Sequence, residues 1–104
     1  MSSTTYQLYC GRNIPQAPKP LAVVSYDDFA DFLNNTVSRY FESWTVTEGV
    51  SCWKGVPEDV FIISIISDEY EAALEVRAIA NLYKQSFSQE AVLINSFRSD
   101  SLLV

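Results

Sequence analysis

Histidine is absent from this 104-residue chain, and cysteine occurs only at Cys10 and Cys52. Without histidine the chain has no His-based triad or dyad, and without a Cys-x-x-Cys pair it lacks the usual zinc ligand sets. The sequence therefore predicts no metal, no cofactor and no catalytic residue of these types.

Positive charge and long apolar runs are also scarce. Thirteen acidic side chains face seven basic ones, and the net charge of −6 opposes attraction to nucleic acid or to an anionic membrane. No apolar run reaches the ~20 residues of a spanning helix, and the N-terminal residues lack the basic start and apolar core of a secretion signal. We therefore predict a cytoplasmic protein with two free thiols and with neither nucleic acid nor membrane as a partner.

Apolar side chains, in contrast, are plentiful, at 48% hydrophobic and 13% aromatic residues. This composition predicts a single domain, 1–104, with a genuine core. Residues 12–24 hold three of the four prolines and are predicted to form a surface loop. Residues 98–104 are predicted to be a C-terminal tail whose apolar end docks on the domain or on a neighbouring subunit.

The first half of the domain is predicted to contain a strand and a helix. Residues 5–10 are apolar and aromatic, which favours a strand that Gly11 ends. Ser25 and Asp28 have the spacing of a capping box, and apolar residues recur at three- and four-residue spacing as far as Phe41. This pattern predicts an amphipathic helix that lies on a sheet.

The segment from Trp44 to Ile66 is the centre of the predicted fold. Two apolar-rich runs flank residues 54–59, whose Gly and Pro favour a tight reversal, so we predict an antiparallel hairpin with strands at 44–53 and 60–66. Glu48 falls on the apolar parity of the first strand, which places it near a strand end, beside a bulge at Gly49, or against a partner or ligand. The second strand is apolar nearly throughout and is predicted to be covered on both faces.

The remaining elements complete a recognisable order. A second helix is predicted from Ser67 or Asp68 to Phe87, and a last strand from Glu90 to Phe97. The order β-α-β-β-α-β predicts an α+β, ferredoxin-like fold: a four-stranded antiparallel sheet, two helices on one face, and the first and third strands in the middle. The same elements in another strand order are the alternative that periodicity leaves open.

Three groups of residues resemble known proteins. They are Leu8–Arg12, Thr47–Trp53 with Glu58, and Tyr83–Val92. Their patterns, Leu-Tyr-x-Gly-Arg and Tyr-Lys-x-x-Phe-x-Gln-Glu, resemble those of a family of short bacterial proteins of unknown function, which implies no known activity. The pattern Trp53-Lys54-Gly55 with Glu58 is also similar to the second hairpin of the trimeric divalent-cation-tolerance proteins, whose ferredoxin-like fold is similar to that of PII signalling proteins. The metal-binding residues expected of such proteins are not recognisable in this chain.

Charged residues beside glycines and at strand ends form the candidate site. Because strand ends approach one another in such a sheet, we predict an ion cluster of Arg12 with Glu48 and Glu90. The cluster either only holds the strand ends in register or binds a small anionic molecule through the planar guanidinium fork. The candidate ligand-binding residues are Arg12, Glu48, Trp53, Glu58, Glu90 and Tyr9.

Two functions fit this sequence. The first is a homo-oligomeric, PII-like regulatory or small-ligand-binding module, a dimer or trimer that packs through the sheet face that the helices leave open. The second is a small ferredoxin-like enzyme of the monooxygenase or isomerase type that uses carboxylate and aromatic groups on the sheet face. Glu48 or Glu90 is its candidate general base if burial raises the pKa of the carboxyl group. The lack of histidine and of a nucleophile–base pair favours the first. Trp44, Trp53 and Tyr6 or Tyr9 are the expected interface residues.

Overall fold

The computed structural model describes residues 2–14 and 23–104, and the three prolines of the predicted loop lie outside them. The described part of the chain contains no helix that is long and apolar enough to cross a membrane. In chain order the elements are β1 (Ser2–Gly11), α1 (Tyr26–Asn35), a 3-10 helix (Val37–Arg39), β2 (Thr45–Trp53), β3 (Val56–Ser67), α2 (Ala72–Phe87) and β4 (Leu93–Asp100).

The four strands form one antiparallel sheet in the order β2-β3-β1-β4. The prediction of an α+β domain with a four-stranded antiparallel sheet and two helices is thereby confirmed, as is the central position of the first and third strands. The sheet has a covered face, which includes Leu8, Cys10, Phe61, Ile63 and Ile65, all buried in one core with side chains of both helices. The residues that alternate with these along each strand point to the other side of the sheet, called the open face below.

Aromatic side chains hold the two helices on the covered face. Phe29 of α1 stacks on Phe61 of β3 with ring centroids 4.0 Å apart, and Phe32 meets Tyr83 of α2 edge to face at 5.3 Å. Such pairs are each worth ~0.5–1.5 kcal/mol beyond the area that they bury. The helices therefore pack on the sheet and on each other through one aromatic cluster.

Both helices differ from their predicted ends. The capping prediction at Ser25 is confirmed, because its hydroxyl accepts the N–H of Asp28 at 3.0 Å. However, α1 stops at Asn35 and not at Phe41, and the buried Val37 belongs to the 3-10 helix, so the apolar stripe continues although the α-helix does not. The predicted start of α2 at Ser67 or Asp68 is wrong by four or five residues, because residues 68–71, three of them acidic, precede the helix.

The β2–β3 hairpin is longer and more regular than expected. Its turn consists only of Lys54 and Gly55, both at positive φ (51° and 79°), the conformation that suits the right-handed twist of a hairpin. Residues pair one to one from Thr45 with Ser64 to Trp53 with Val56, so the bulge considered at Gly49 is wrong.

Two further strand predictions also need correction. The strand β3 is covered on one face only, with Ile66 56% exposed on the open face. The last strand begins at Leu93 and runs to Asp100, so part of the predicted tail pairs with β1.

The hairpin extends past the end of β1. The pairing of β3 with β1 ends at Val60 opposite Gly11, whereas its pairing with β2 continues to Val56. Residues 50–59 therefore form a two-stranded ribbon, called the hairpin arm below. Pro57 is tolerated there because β3 has a neighbour on only one side at that point.

Candidate functional site

A cavity of about 430 Å³ lies on the open face, at the end of the sheet where β1 stops. This volume falls within the ~300–1,000 Å³ of small-molecule sites. Three segments enclose it: the end of β1 with Asn13, the hairpin arm, and the connection from α2 to β4. Its walls include the rings of Tyr9 and Trp53, the aliphatic side chains of Val56 and Leu93, and the carboxylates of Glu58 and Glu90.

Glu58 lies where the hairpin arm crosses the end of β1. Its side chain is half-buried, and Oε2 accepts the backbone N–H of Asn13 at 3.2 Å. Both carboxylate oxygens lie 2.7 Å from the position that a Cβ on Gly11 would take. Glycine at this position therefore lets the carboxylate approach the main chain of β1.

The main chain beneath Glu58 is itself held in place. The buried hydroxyl of Tyr83 donates to the carbonyl of Gly11 at 2.8 Å, and Nε2 of Gln89 donates to the carbonyl of Asn13 at 2.7 Å. Burial raises the pKa of the Tyr83 hydroxyl far above its usual range, so it remains a donor. The end of β1 is thus anchored from α2 and from the residues that follow it.

The tip of the hairpin arm is joined to the α2–β4 connection by a contact that we call the latch, made by Trp53, Lys54 and Glu90. Nζ of Lys54 contacts Oε1 of Glu90 at 2.6 Å, and the indole N–H of Trp53 donates to Oε2 at 3.3 Å. The hydrogen bonds from Lys54 and Trp53 hold the pKa of Glu90 below its usual range. The latch closes one side of the cavity, but its members are largely exposed, so the ion pair itself adds little to stability.

Arg12 lies on the other side of the sheet. Its Nε donates to the carbonyl of Val24 at 3.0 Å, and its guanidinium lies 4.8 Å from the ring centroid of Tyr26 and 4.6 Å from that of Phe61. Its Nη1 is 3.9 Å from Oε1 of Glu48, at the outer limit of an ion pair. These contacts fix the end of the 12–24 segment over the core.

Glu48 belongs to this second cluster. The hydroxyl of Tyr26 donates to its Oε1 at 2.6 Å, and this hydrogen bond raises the pKa of Tyr26. None of the three positions considered for Glu48 is found, because it lies inside β2 without a bulge and contacts the N-terminal turn of α1 in the same chain.

The six candidate residues thus fall into two groups. Tyr9, Trp53, Glu58 and Glu90 line the cavity, whereas Arg12 and Glu48 meet on the covered side of the sheet. Glu90 pairs with Lys54, so the expected three-membered cluster forms only as the Arg12–Glu48 pair. The sequence reasoning missed Gly11, and the backbone N–H of Asn13, which has no side-chain signal. A glycine at the end of a strand often marks the close approach of another group, and this is the sequence signal for the first.

Metal ligation finds no support in the described residues, where no three carboxylate or thiol groups come together. The two thiols are unpaired and differ in surroundings. Burial raises the pKa of Cys10 far above its usual range, and Cys52 is exposed at the cavity.

Comparison with solved structures gives a likeness in fold. The phage SAM lyase in complex with S-methyl-5′-thioadenosine is similar with a TM-score of 0.64 and 17% sequence identity, over 91% of this chain and 80% of that one. At this identity the likeness shows the fold alone. No curated protein matches the chain significantly.

Family membership follows from the sequence itself. A family model described as "Protein of unknown function (DUF3574)" matches residues 5–101. The resemblance to an uncharacterised family is thereby confirmed, while the likeness to PII and divalent-cation-tolerance proteins stays a hypothesis. The chain belongs to the DUF3574 family of proteins of unknown function.

Proposed function

We propose that this protein is a cytoplasmic small-ligand-binding domain whose ligand occupies the cavity at the end of β1. The observation that carries the proposal is a nucleoside-sized cavity with two aromatic walls and a carboxylate held by the main chain. Most ligand sites have this composition, a largely apolar surface with a few fixed polar groups. We propose that the protein binds this ligand without converting it, as a regulatory module does.

A nucleoside is the ligand class that we propose. The rings of Tyr9 and Trp53 offer surfaces on which a purine can stack, and a carboxylate such as Glu58 accepts hydrogen bonds from ribose hydroxyls. The fold neighbour was solved with S-methyl-5′-thioadenosine, which is a purine nucleoside. That compound is therefore the first probe.

Titration calorimetry with S-methyl-5′-thioadenosine tests the proposal. We expect saturable binding that weakens about 5- to 150-fold in Trp53→Ala, because aromatic stacking of a base is worth ~1–3 kcal/mol. Tyr70→Ala is the matched control, since Tyr70 is 98% exposed and precedes α2, away from the cavity. Absence of saturable heat at millimolar probe, or an equal loss in both variants, would overturn the proposal.

The quaternary part of the proposal is a ferredoxin-like, PII-like homo-oligomer, dimer or trimer. Its support is the open face, where Ile66, Leu93 and Phe97 are 56%, 59% and 47% exposed. Apolar surface of this kind is a common subunit interface. Tyr9 and Trp53 lie on this face, whereas Tyr6 and Trp44 pack against the core. Sedimentation at tens of micromolar protein should show a multiple of 11.7 kDa, and a monomer would refute it.

A small enzyme is the second candidate function, favoured by one observation, that the fold neighbour is a lyase. It would use the carboxylates and aromatic rings of the cavity on a sulfonium nucleoside. Incubation of S-adenosylmethionine with the purified protein, followed by mass spectrometry, decides between the two functions. Formation of S-methyl-5′-thioadenosine that is lost in Glu58→Gln would establish the enzyme, and an unchanged substrate that binds would establish the binding module.

A further inference from the structure

Glu58 is a carboxylate in the cavity that has no cationic partner within residues 2–14 and 23–104. The described residues form two ion pairs, Lys54 with Glu90 and Arg12 with Glu48, and neither includes Glu58. Lys54 is the basic residue of the lining, and it is already engaged by Glu90 at 2.6 Å. The charged side chains that line the cavity therefore sum to one negative charge.

The geometry holds this charge in place. Glu58 is packed against Gly11, and its one hydrogen bond among the described residues comes from the N–H of Asn13. Arg12 does not neutralise Glu58, because its side chain points to the opposite face of the sheet. There it contacts the carbonyl of Val24 and the carboxylate of Glu48. A half-buried carboxylate that lacks a counter-charge is costly unless something else supplies one.

We propose that the ligand supplies it: the cavity selects molecules with a positively charged group, an ammonium or a sulfonium, that pairs with Glu58. This inference rests on the proposed function and names the charge of its ligand. The aromatic walls agree with it, because the faces of Trp and Tyr attract cations. Anions are disfavoured by the same carboxylate, so Glu58 is a specificity-determining residue.

A series of adenosines that differ only at the 5′ position tests the inference. 5′-Amino-5′-deoxyadenosine is cationic, adenosine is neutral and adenosine 5′-monophosphate is anionic. We expect the amine to bind about 10- to 100-fold more tightly than adenosine, the range for a charge-assisted contact, and the phosphate to bind most weakly. The preference for the amine should weaken as salt is raised.

Glu58→Gln is the decisive variant, because glutamine keeps the shape and can still accept the N–H of Asn13. It should lose the preference for the amine over adenosine, because the amide carries no charge. Glu69→Gln is the matched control, since exposed Glu69 lies beyond the far end of β3. Unaltered melting of both variants shows that the fold is intact.

Three outcomes would contradict the inference in different ways. Equal affinity for amine and adenosine, or a preference that survives in Glu58→Gln, overturns the selection of cations but leaves nucleoside binding standing. If the phosphate binds most tightly, the cavity selects anions, as first expected from Arg12, and the selection of cations is wrong. Failure of all three nucleosides to bind overturns the proposed function and this inference together.

Discussion

Gly11→Ala is the substitution that we expect to weaken ligand binding with only a small effect on the free energy of unfolding. A Cβ at this position would lie 2.7 Å from both oxygens of Glu58, whereas ordinary contact begins at 3.4 Å, so Gly11→Ala must displace the carboxylate by about 0.7 Å. The hydrogen bond from Asn13 is already 3.2 Å long and would not survive this displacement. The backbone of Gly11 is not at positive φ, so alanine is not strained there.

The effect on stability should be small. Losing the hydrogen bond costs ~1.5 kcal/mol, at the low end for a charged acceptor because the site is partly solvated. Replacing glycine where alanine fits offsets ~0.4–1 kcal/mol of this by restricting the unfolded chain. The free energy of unfolding should therefore fall by less than about 1 kcal/mol, while binding of 5′-amino-5′-deoxyadenosine should weaken about 10- to 100-fold because the carboxylate is misplaced.

Gly49→Ala is the matched control. Gly49 lies in the same row of the open face, paired with Val60 as Gly11 is, but its added Cβ would meet only Val60 and Ile62 at 3.6 and 3.8 Å. Urea unfolding and calorimetry on both variants provide the comparison. If Gly11→Ala binds the amine as the wild type does, or if Gly49→Ala loses binding equally, the role of the Gly11–Glu58 contact is refuted.

Three further predictions concern groups around the site. Tyr83→Phe leaves a buried carbonyl of β1 without its donor, so the free energy of unfolding in urea should fall by about 1–3 kcal/mol, and a change below about 0.5 kcal/mol would contradict this. A thiol reagent at about pH 8 should modify only Cys52 in the native protein and both thiols in denaturant, because burial raises the pKa of Cys10; rapid modification of two native thiols would disprove it. Lys54 and the neighbouring indole lower the pKa of Glu90 in the folded state, so the stabilisation from the latch is present above the unfolded pKa and lost as pH falls through the folded pKa. Tryptophan fluorescence should stay constant from about pH 7 to pH 5 and change below about pH 4 in the wild type but not in Glu90→Gln.

The elements of this fold were predictable because their signals are local. The spacing from Ser25 to Asp28 and the apolar run of residues 60–66 each depend on a few neighbouring side chains, and together with topology rules they placed β1 and β3 in the centre. Element ends were less predictable. The acidic run before α2 has the composition of a first helical turn, but there the hydroxyl of Ser67 accepts the N–H of Glu69, and the helix begins only at Ala72.

The candidate site was predictable only in part, for a reason that Arg12 and Glu58 illustrate. Both lie at strand ends, which is why both were chosen, but they are on opposite faces of the sheet. The sequence indicates that a residue is near a strand end. It does not indicate the overhang of the hairpin arm, which creates the cavity on one face and depends on the relative lengths of β1 and β3.

The overhang also gives β3 two levels of local stability. From Val60 to Ser64 the strand has a neighbour on both sides, so its amide hydrogens should exchange with solvent mainly when the whole domain unfolds. The amides of the hairpin arm should exchange through a local opening that also removes Glu58 from the cavity. A ligand that requires the closed arm slows this opening in proportion to its occupancy. Deuterium uptake at the arm is therefore a direct readout of the bound fraction, even for a ligand whose identity is unknown.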